Sequence, residues 1–286
     1  MIVTRLGLAL VKGTRHLDHE ELEFDAQGPI GDRTFCLVDR ACGGVLKTVE
    51  NPRLVGVEVR ATGVGLVATT PDGRSLEAAT RDSLDGAQAG DYWGRGARIH
   101  LQDSELSAFF SEYLSRDVVF ARAGRGDVVY YDPVSLVTTG SLARLARASG
   151  NAGRDLGVRF RATMTLELDS DPAPGARLSV GDLEIEVTRP ISRCAVIDLD
   201  PATGERTNAP AATHSVGAWR DSVRDVCAGG SARHRSARGR RPRAVSAAEL
   251  TRSDGYSSAE CGPVAPSPKF VTGSSPPRRS PRRADG

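Results

Sequence analysis

The sequence predicts an α+β, strand-rich protein: a small N-terminal barrel or sandwich, a second β-dominated half, and a C-terminal tail that is disordered or aberrant. Three observations carry that expectation. Short runs alternating apolar and polar residues recur between Gly-, Pro- and Asp-containing turns from residue 2 to residue 79, the spacing of a small barrel or sandwich. The same texture returns after residue 118. From about Ala211 the composition shifts to Arg, Ser, Pro and Ala, with one Leu (Leu250), one Phe (Phe270) and no Ile in 76 residues. That is too little apolar surface to offset chain entropy.

Residues 2–11 read as an opening strand that ends at Lys12-Gly13, and 22–25 as a second. Gly28-Pro29 and Gly31-Asp32 punctuate the turn into 33–39 (R-T-F-C-L-V-D). Cys42-Gly43-Gly44 signals a hairpin into 45–49, and 54–60 (L-V-G-V-E-V-R) alternates as a half-buried strand. Pro71-Asp72-Gly73 joins 65–70 to 75–79; the Pro pre-sets one backbone angle and the Gly accepts a positive one. Leu106, Phe109, Phe110, Tyr113 and Leu114 then fall at i, i+3, i+4, i+7 and i+8. This spacing predicts an amphipathic helix over 103–114 with Asp103 or Ser104 as N-cap, its aromatics serving as packing. In the second half we expect a strand at 134–138 and a helix at 139–148 with Leu142 and Leu145 on one face. A strand at 162–168, a hairpin over 177–187 around Gly181-Asp182 and a strand at 194–199 complete it. The expected division is 1–117, 118–228 and a low-complexity tail, 229–286.

The net charge of +2 hides an asymmetry. Residues 211–286 hold 14 basic against 6 acidic groups, and 1–210 hold 24 against 30. Only three of the 38 basic residues are lysine (Lys12, Lys47, Lys269), a bias typical of GC-rich coding sequence, and an out-of-frame translation of such DNA would give the composition of the tail. The arginine clusters at 233–243 and 278–283 have no interleaved aromatics for stacking on bases, which argues against a nucleic-acid partner. Five cysteines form no C-x-x-C pair, and the apolar run at 6–11 is shorter than a signal segment. No run approaches the ~20 apolar residues of a membrane span. The expectation is a cytoplasmic protein with free thiols and no membrane partner.

Phosphate-binding Gly-rich loops, dinucleotide fingerprints and H-E-x-x-H are absent. His16 and His19, beside Glu20 and Glu21, lack a third ligand and read as a solvated loop. Cys36 reads as an inward strand residue and Cys42 as a turn residue. Cys194 differs: it follows Arg193, whose fixed charge favours the thiolate, and a Pro-containing bend that can turn a side chain toward a cleft. A thiolate there is a nucleophile, a sulfur carrier or a soft ligand to a transition metal.

Six motifs occur in order: V-K-G near the start, G-D-R-T-F-C-L-V-D, P-V-S-L-V-T-T-G-S-L-A-R-L, R-F-R-A-T, S-V-G-D-L, and R-P-I-S-R-C with D-P-A-T-G. Over roughly 1–208 the chain resembles MOSC-domain proteins, which share the C-terminal domain of molybdenum cofactor sulfurases, here with the usual N-terminal β-barrel partner domain. It is similar to bacterial relatives of the mitochondrial amidoxime-reducing component. The resemblance implies a MOSC β-barrel domain in the second half and a molybdopterin-type molybdenum cofactor (Mo-molybdopterin), with Cys194 as the catalytic metal ligand. By motif position it implies cofactor contacts at Lys12, Arg33, Thr138, Ser141, Arg161, Ser192 and Arg193. Three departures stand out: Gly13 in place of a Ser, Ala162-Thr163 in place of Pro-Asn, and Ile191 in place of a Cys. A fourth is the end of the chain, where nothing after Ala211 reads as the closing strands of the barrel, so the second domain appears incomplete on sequence.

The implied function is a molybdenum-dependent oxidoreductase that reduces N-hydroxylated or related N- or S-oxygenated compounds, a small-molecule substrate, with electrons from a donor protein or domain. One alternative keeps the fold and makes Cys194 a persulfide carrier for metal–sulfur cofactor assembly. A further alternative is a truncated, inactive MOSC protein whose basic tail binds nucleic acid.

Overall fold

In the computed structural model, residues 1–130, 132–149, 156–191, 194–207, 230–234 and 243–246 are described. Strands dominate, as expected. The opening strand β1 (Val3–Leu8) stops short of Lys12 and lies between β2 (Leu17–His19) and β13 (Met164–Leu166). Its sheet has seven strands and also takes in β12 (Val134–Thr138), β14 (Arg177–Val180), β15 (Leu183–Pro190) and β16 (Gly230–His234). A second core strand, β3 (Glu21–Asp25), pairs with β4 (Gly28–Pro29) and with β17 (Arg243–Ser246). Val3, Leu6, Leu8, Phe24, Met164, Leu166 and Ile185 fill the space these sheets enclose.

A four-stranded sheet takes the order β5 (Phe35–Asp39), β11 (Val118–Ala123), β10 (Arg95–Gln102), β9 (Asp82–Tyr92). The expected aromatic stripe forms α1 (Leu106–Leu114), which packs Phe109 and Phe110 onto β11 and onto the three-stranded sheet β6 (Glu58–Ala61), β7 (Leu66–Thr69), β8 (Ser75–Ala78). The strands exchange across position 117. β11, C-terminal to it, completes the sheet begun by β5, while β1 sits inside the sheet of the C-terminal half.

Several expectations change. Residues 45–49 hold only a single bridge, Val38 to Val45, because the Lys47–Asn51 backbone closes turns instead. The 54–60 run begins as a 3-10 turn, Pro52–Gly56, started by the proline, and becomes a strand only at Glu58. Neither Asp103 nor Ser104 is the residue at the N-cap of α1, which is Glu105; Ser104 Oγ accepts the Leu106 N–H at 3.4 Å. The 194–199 run is no strand: Cys194 caps a 3-10 turn, Ala195–Asp198. The long β9–β10 hairpin pairs a strand of mostly small and polar residues, β9, with β10, whose Ala97, Ile99 and Leu101 alternate with polar residues. Helix α2 (Thr139–Ser149) appears as expected, and a short α3 (Leu156–Phe160) follows.

The tail is corrected in two places. β16 runs antiparallel to both β15 and β12, filling the slot between them, and β17 extends the edge of β3 with Val245 buried. Ladder hydrogen bonds come from backbone groups, so a Ser- and Ala-rich segment can close an edge that would otherwise be left unpaired. The remaining tail, including Cys227, Cys261, the Ala218–Asp221 stretch and Arg278–Arg283, lies outside the described residues. No described helix is long and apolar enough to cross a membrane. Removing residues 229–286 is expected to lower the melting temperature by about 10 °C or cause aggregation, whereas removing 254–286 leaves it unchanged. Scanning calorimetry of the two truncations beside the full chain checks this.

Candidate cofactor site

The segment between Ala9 and His16 runs from one hydrophobic core to the other, and the site is built on it. The Arg33 N–H bonds the Ala9 carbonyl at 2.7 Å, the Phe35 N–H bonds the Leu10 carbonyl at 2.9 Å, and the Lys12 N–H bonds the Phe35 carbonyl at 2.7 Å. The loop of β4 to β5 therefore lies alongside this segment. Asp32, buried, accepts the Ala9 N–H at 3.2 Å and the Arg33 guanidinium. Arg33 has φ 48°, a left-handed conformation that is uncommon for a bulky residue. Gly13, at φ 98°, occupies a conformation in which a serine would be strained, which accounts for V-K-G.

Arg161 arrives from the other half of the chain. It ends α3, also in the left-handed region (φ 54°), with its N–H on the Val158 carbonyl at 3.0 Å. Burial and the neighbouring Arg33 push its pKa down to about 9, with Asp32 and Cys194 acting in the opposite sense. Lys12 has the same surroundings. Burial, Arg33 and Arg161 push it down to about 7, again opposed by Asp32 and Cys194. Its amine reaches Thr48 Oγ1 at only 3.4 Å and lies 5.5 Å over the Tyr92 ring. Lys12, Arg33 and Arg161 thus lie within electrostatic reach of one another, of the Asp32 carboxylate and of the exposed Cys194 thiol, a cluster with more positive than negative charge.

Arg159, two residues earlier, does a different job. Its guanidinium donates to the Leu199 carbonyl at 2.7 Å, to Thr207 Oγ1 at 3.1 Å and to the Ile197 carbonyl at 3.4 Å, clamping the turn that follows Cys194. The D-P-A-T-G loop locks the other end. Asp200 accepts the Ala202 and Thr203 N–H groups, Arg15 donates to the Ala202 and Gly56 carbonyls, and Gly204 at φ 76° packs where a Cβ would strike the Pro52 carbonyl oxygen. Cys194 is therefore presented by a turn fastened to both halves.

Not every motif residue joins this group. The Thr138 and Ser141 hydroxyls donate to the two oxygens of Asp171 at 2.7 and 2.6 Å, and Arg144 donates to Ser141; they close the start of α2 against the following loop. The Thr163 hydroxyl is engaged by Ser135. Ser192 and Arg193 lie outside the described residues. His16 is not in a solvated loop: it is buried, with Nδ1 3.0 Å from Arg5, and His19 lies in β2. Cys36 is a core residue whose thiol burial pushes up to about 12, and Cys42 sits in an exposed turn. Reading motifs alone misses Asp32, Arg159 and His16. The paired arginines of R-F-R were a signal for Arg159, but only the fold shows that its target lies some forty residues on.

Residues 3–117 match the MOSC N-terminal beta barrel domain, and residues 98–238 match the MOSC domain. The chain belongs to the MOSC-domain family. The second match runs through β16, so the MOSC region extends into the tail where strand pairing also continues. MOSC domains are associated with molybdenum-cofactor-binding proteins. No curated protein matches this chain.

Two expectations follow for this MOSC site. Lys12 binds its proton less tightly folded than unfolded, so the unfolded state holds more protons between about pH 7 and the ordinary lysine range. Stability of the ligand-free protein then rises with pH across that interval, by up to about 1.4 kcal/mol per unit from this group. Urea midpoints from pH 7 to 9 should show the slope in wild type and its reduction in Lys12→Met. Arg159→Ala is expected to cost about 2 kcal/mol and to raise amide exchange across 195–207 while β5 and β11 stay protected.

Proposed function

We propose that this MOSC protein is a molybdenum-cofactor-dependent oxidoreductase that reduces N-hydroxylated or related N- or S-oxygenated compounds, with Cys194 as the protein ligand to molybdenum. The observation that supports it is the meeting of Lys12, Arg33 and Arg161 around the single carboxylate of Asp32, beside the exposed thiol of Cys194. A molybdopterin presents a phosphate and a metal. Forked guanidiniums suit the first, and a thiolate suits a soft transition-metal position. Among the described residues no three His, Cys, Asp or Glu side chains gather into a metal cage, so the reading asks the protein for one ligand only.

When bound, the cofactor supplies the two-electron redox chemistry. Breaking each N–O bond consumes two electrons and two protons and releases the reduced base and one water; a donor protein or domain delivers the electrons. The chain's own residues bind and orient. Arg33 and Arg161 hold the phosphate from opposite halves of the chain, and Lys12 takes up a proton as the anion arrives, because the new negative charge reverses the repulsion from both arginines. Ser192 and Arg193 flank the ligand in sequence, and the Arg159 clamp keeps Cys194 at the rim. The exposure of Cys194 also favours a second reading, a persulfide carrier that hands sulfur to a partner protein.

Metal and pterin analysis of the purified full-length chain separates the two. The oxidoreductase reading expects stoichiometric molybdenum that is lost in Cys194→Ser, with pterin retained better in that variant than in Arg161→Gln. Metal-free protein carrying a labile sulfur on Cys194 overturns it in favour of the carrier.

A further inference from the structure

His16 is a buried titratable group beside the cation cluster that the oxidoreductase reading leaves without a role. Its Nδ1 lies 3.0 Å from the Arg5 guanidinium. A guanidinium only donates, so Nδ1 is the acceptor and the neutral ring carries its proton on Nε2. Arg5 is fixed in turn, by Asp18 at 2.6 Å and by the Ala162 carbonyl at 3.1 Å, so the tautomer is locked from outside. A second proton on the ring is opposed by burial and by Arg161, Arg5 and Arg33. Gly7 makes the seat: a Cβ there would stand 2.7 Å from the ring's Cε1 and 2.8 Å from Nδ1. With that edge against β1, the Nε2 edge is the one left to face away.

His16 also borders a small pocket of about 10 Å³, room for one oxygen atom. His16, Arg159 and Arg161 form its polar lining and Val55, Val158 and Val196 its apolar lining. All three polar side chains are donors. Arg159 is already engaged with the 197–207 segment, whereas the Nε2–H of His16 has no acceptor among the described residues. That leaves the Nε2–H free to donate to a ligand that reaches it beside Arg161.

We propose that His16 is a neutral hydrogen-bond donor of the anion site, its Nε2–H and Arg161 together receiving one oxygen of the oxyanion that the cation cluster binds. A neutral donor adds a contact without adding to the charge repulsion that already depresses Lys12 and Arg161. The inference rests on the cluster being an anion site, as proposed above, but not on molybdenum.

Inorganic pyrophosphate titrated into the ligand-free, full-length ¹⁵N-labelled chain tests it. Long-range imidazole spectra at pH 7 should show His16 protonated on Nε2 and bare on Nδ1, and the Nε2–H signal should move as pyrophosphate saturates. In calorimetric titrations His16→Leu should bind pyrophosphate about tenfold more weakly, and His16→Gln, which keeps an amide donor, should recover most of the loss. A proton on Nδ1, an Nε2–H signal unmoved at saturation, or wild-type affinity in a folded His16→Leu variant each overturns the proposal. Should His16→Leu fail to fold, the wild-type spectra decide alone. Absence of molybdenum from the purified protein would sink the oxidoreductase reading while leaving these results standing.

Discussion

Lys12, Arg33 and Arg161 are held together at partial burial with one carboxylate, Asp32, among them. Like charges withdrawn from water destabilise a fold, so surrounding structure has to impose this arrangement. Here it comes from three directions. The β4–β5 loop is bonded to the segment after β1, α3 ends on a left-handed arginine, and the β1–β13 ladder ties the two pieces to each other. Each cation is placed by backbone contacts that do not depend on its own charge.

That constraint explains why the two halves exchange strands. If β1 belonged only to the N-terminal sheets, Lys12 would have no fixed relation to Arg161, 149 positions later. Pairing β1 with β13 places the residue after one strand near the residue before the other, and Arg5 adds a bond across the same seam to the Ala162 carbonyl. The Arg159 clamp and the D-P-A-T-G loop extend the seam to Cys194, with Arg15 and Gly204 docking that loop onto the Pro52–Gly56 turn. The thiol is exposed yet stands on a segment fastened at both ends.

Motif departures take on physical meaning in this setting. Gly13 occupies a positive-φ position, so the missing serine hydroxyl reflects backbone geometry. Thr163 is engaged with Ser135 and contributes its hydroxyl to packing between β12 and β13. Thr138 and Ser141, which motif position assigns to the cofactor, bond Asp171, a carboxylate whose pKa burial raises. Lys12, Arg33 and Arg161 thus share surroundings with Cys194, whereas Thr138 and Ser141 are engaged elsewhere.

The strand-rich class, the aromatic helix, the hairpin around Gly181-Asp182 and the identity of the family were legible in the sequence, because period, turn residues and ordered motifs are local properties. The same ordered motifs singled out Cys194, Arg33 and Arg161 as candidates. Other features were decided only by tertiary structure. The 194–199 run has the composition of a strand, but Arg159 takes its carbonyls and it becomes a turn. The tail has no apolar pattern, but two of its segments find unpaired edges, and edge pairing draws on backbone groups that every sequence carries. His16 reads as a loop residue until Gly7 and Arg5 close over it. Local patterning determines which elements form; which charges are forced together, and which histidine is buried beside a pocket, depends on contacts between residues far apart in the chain.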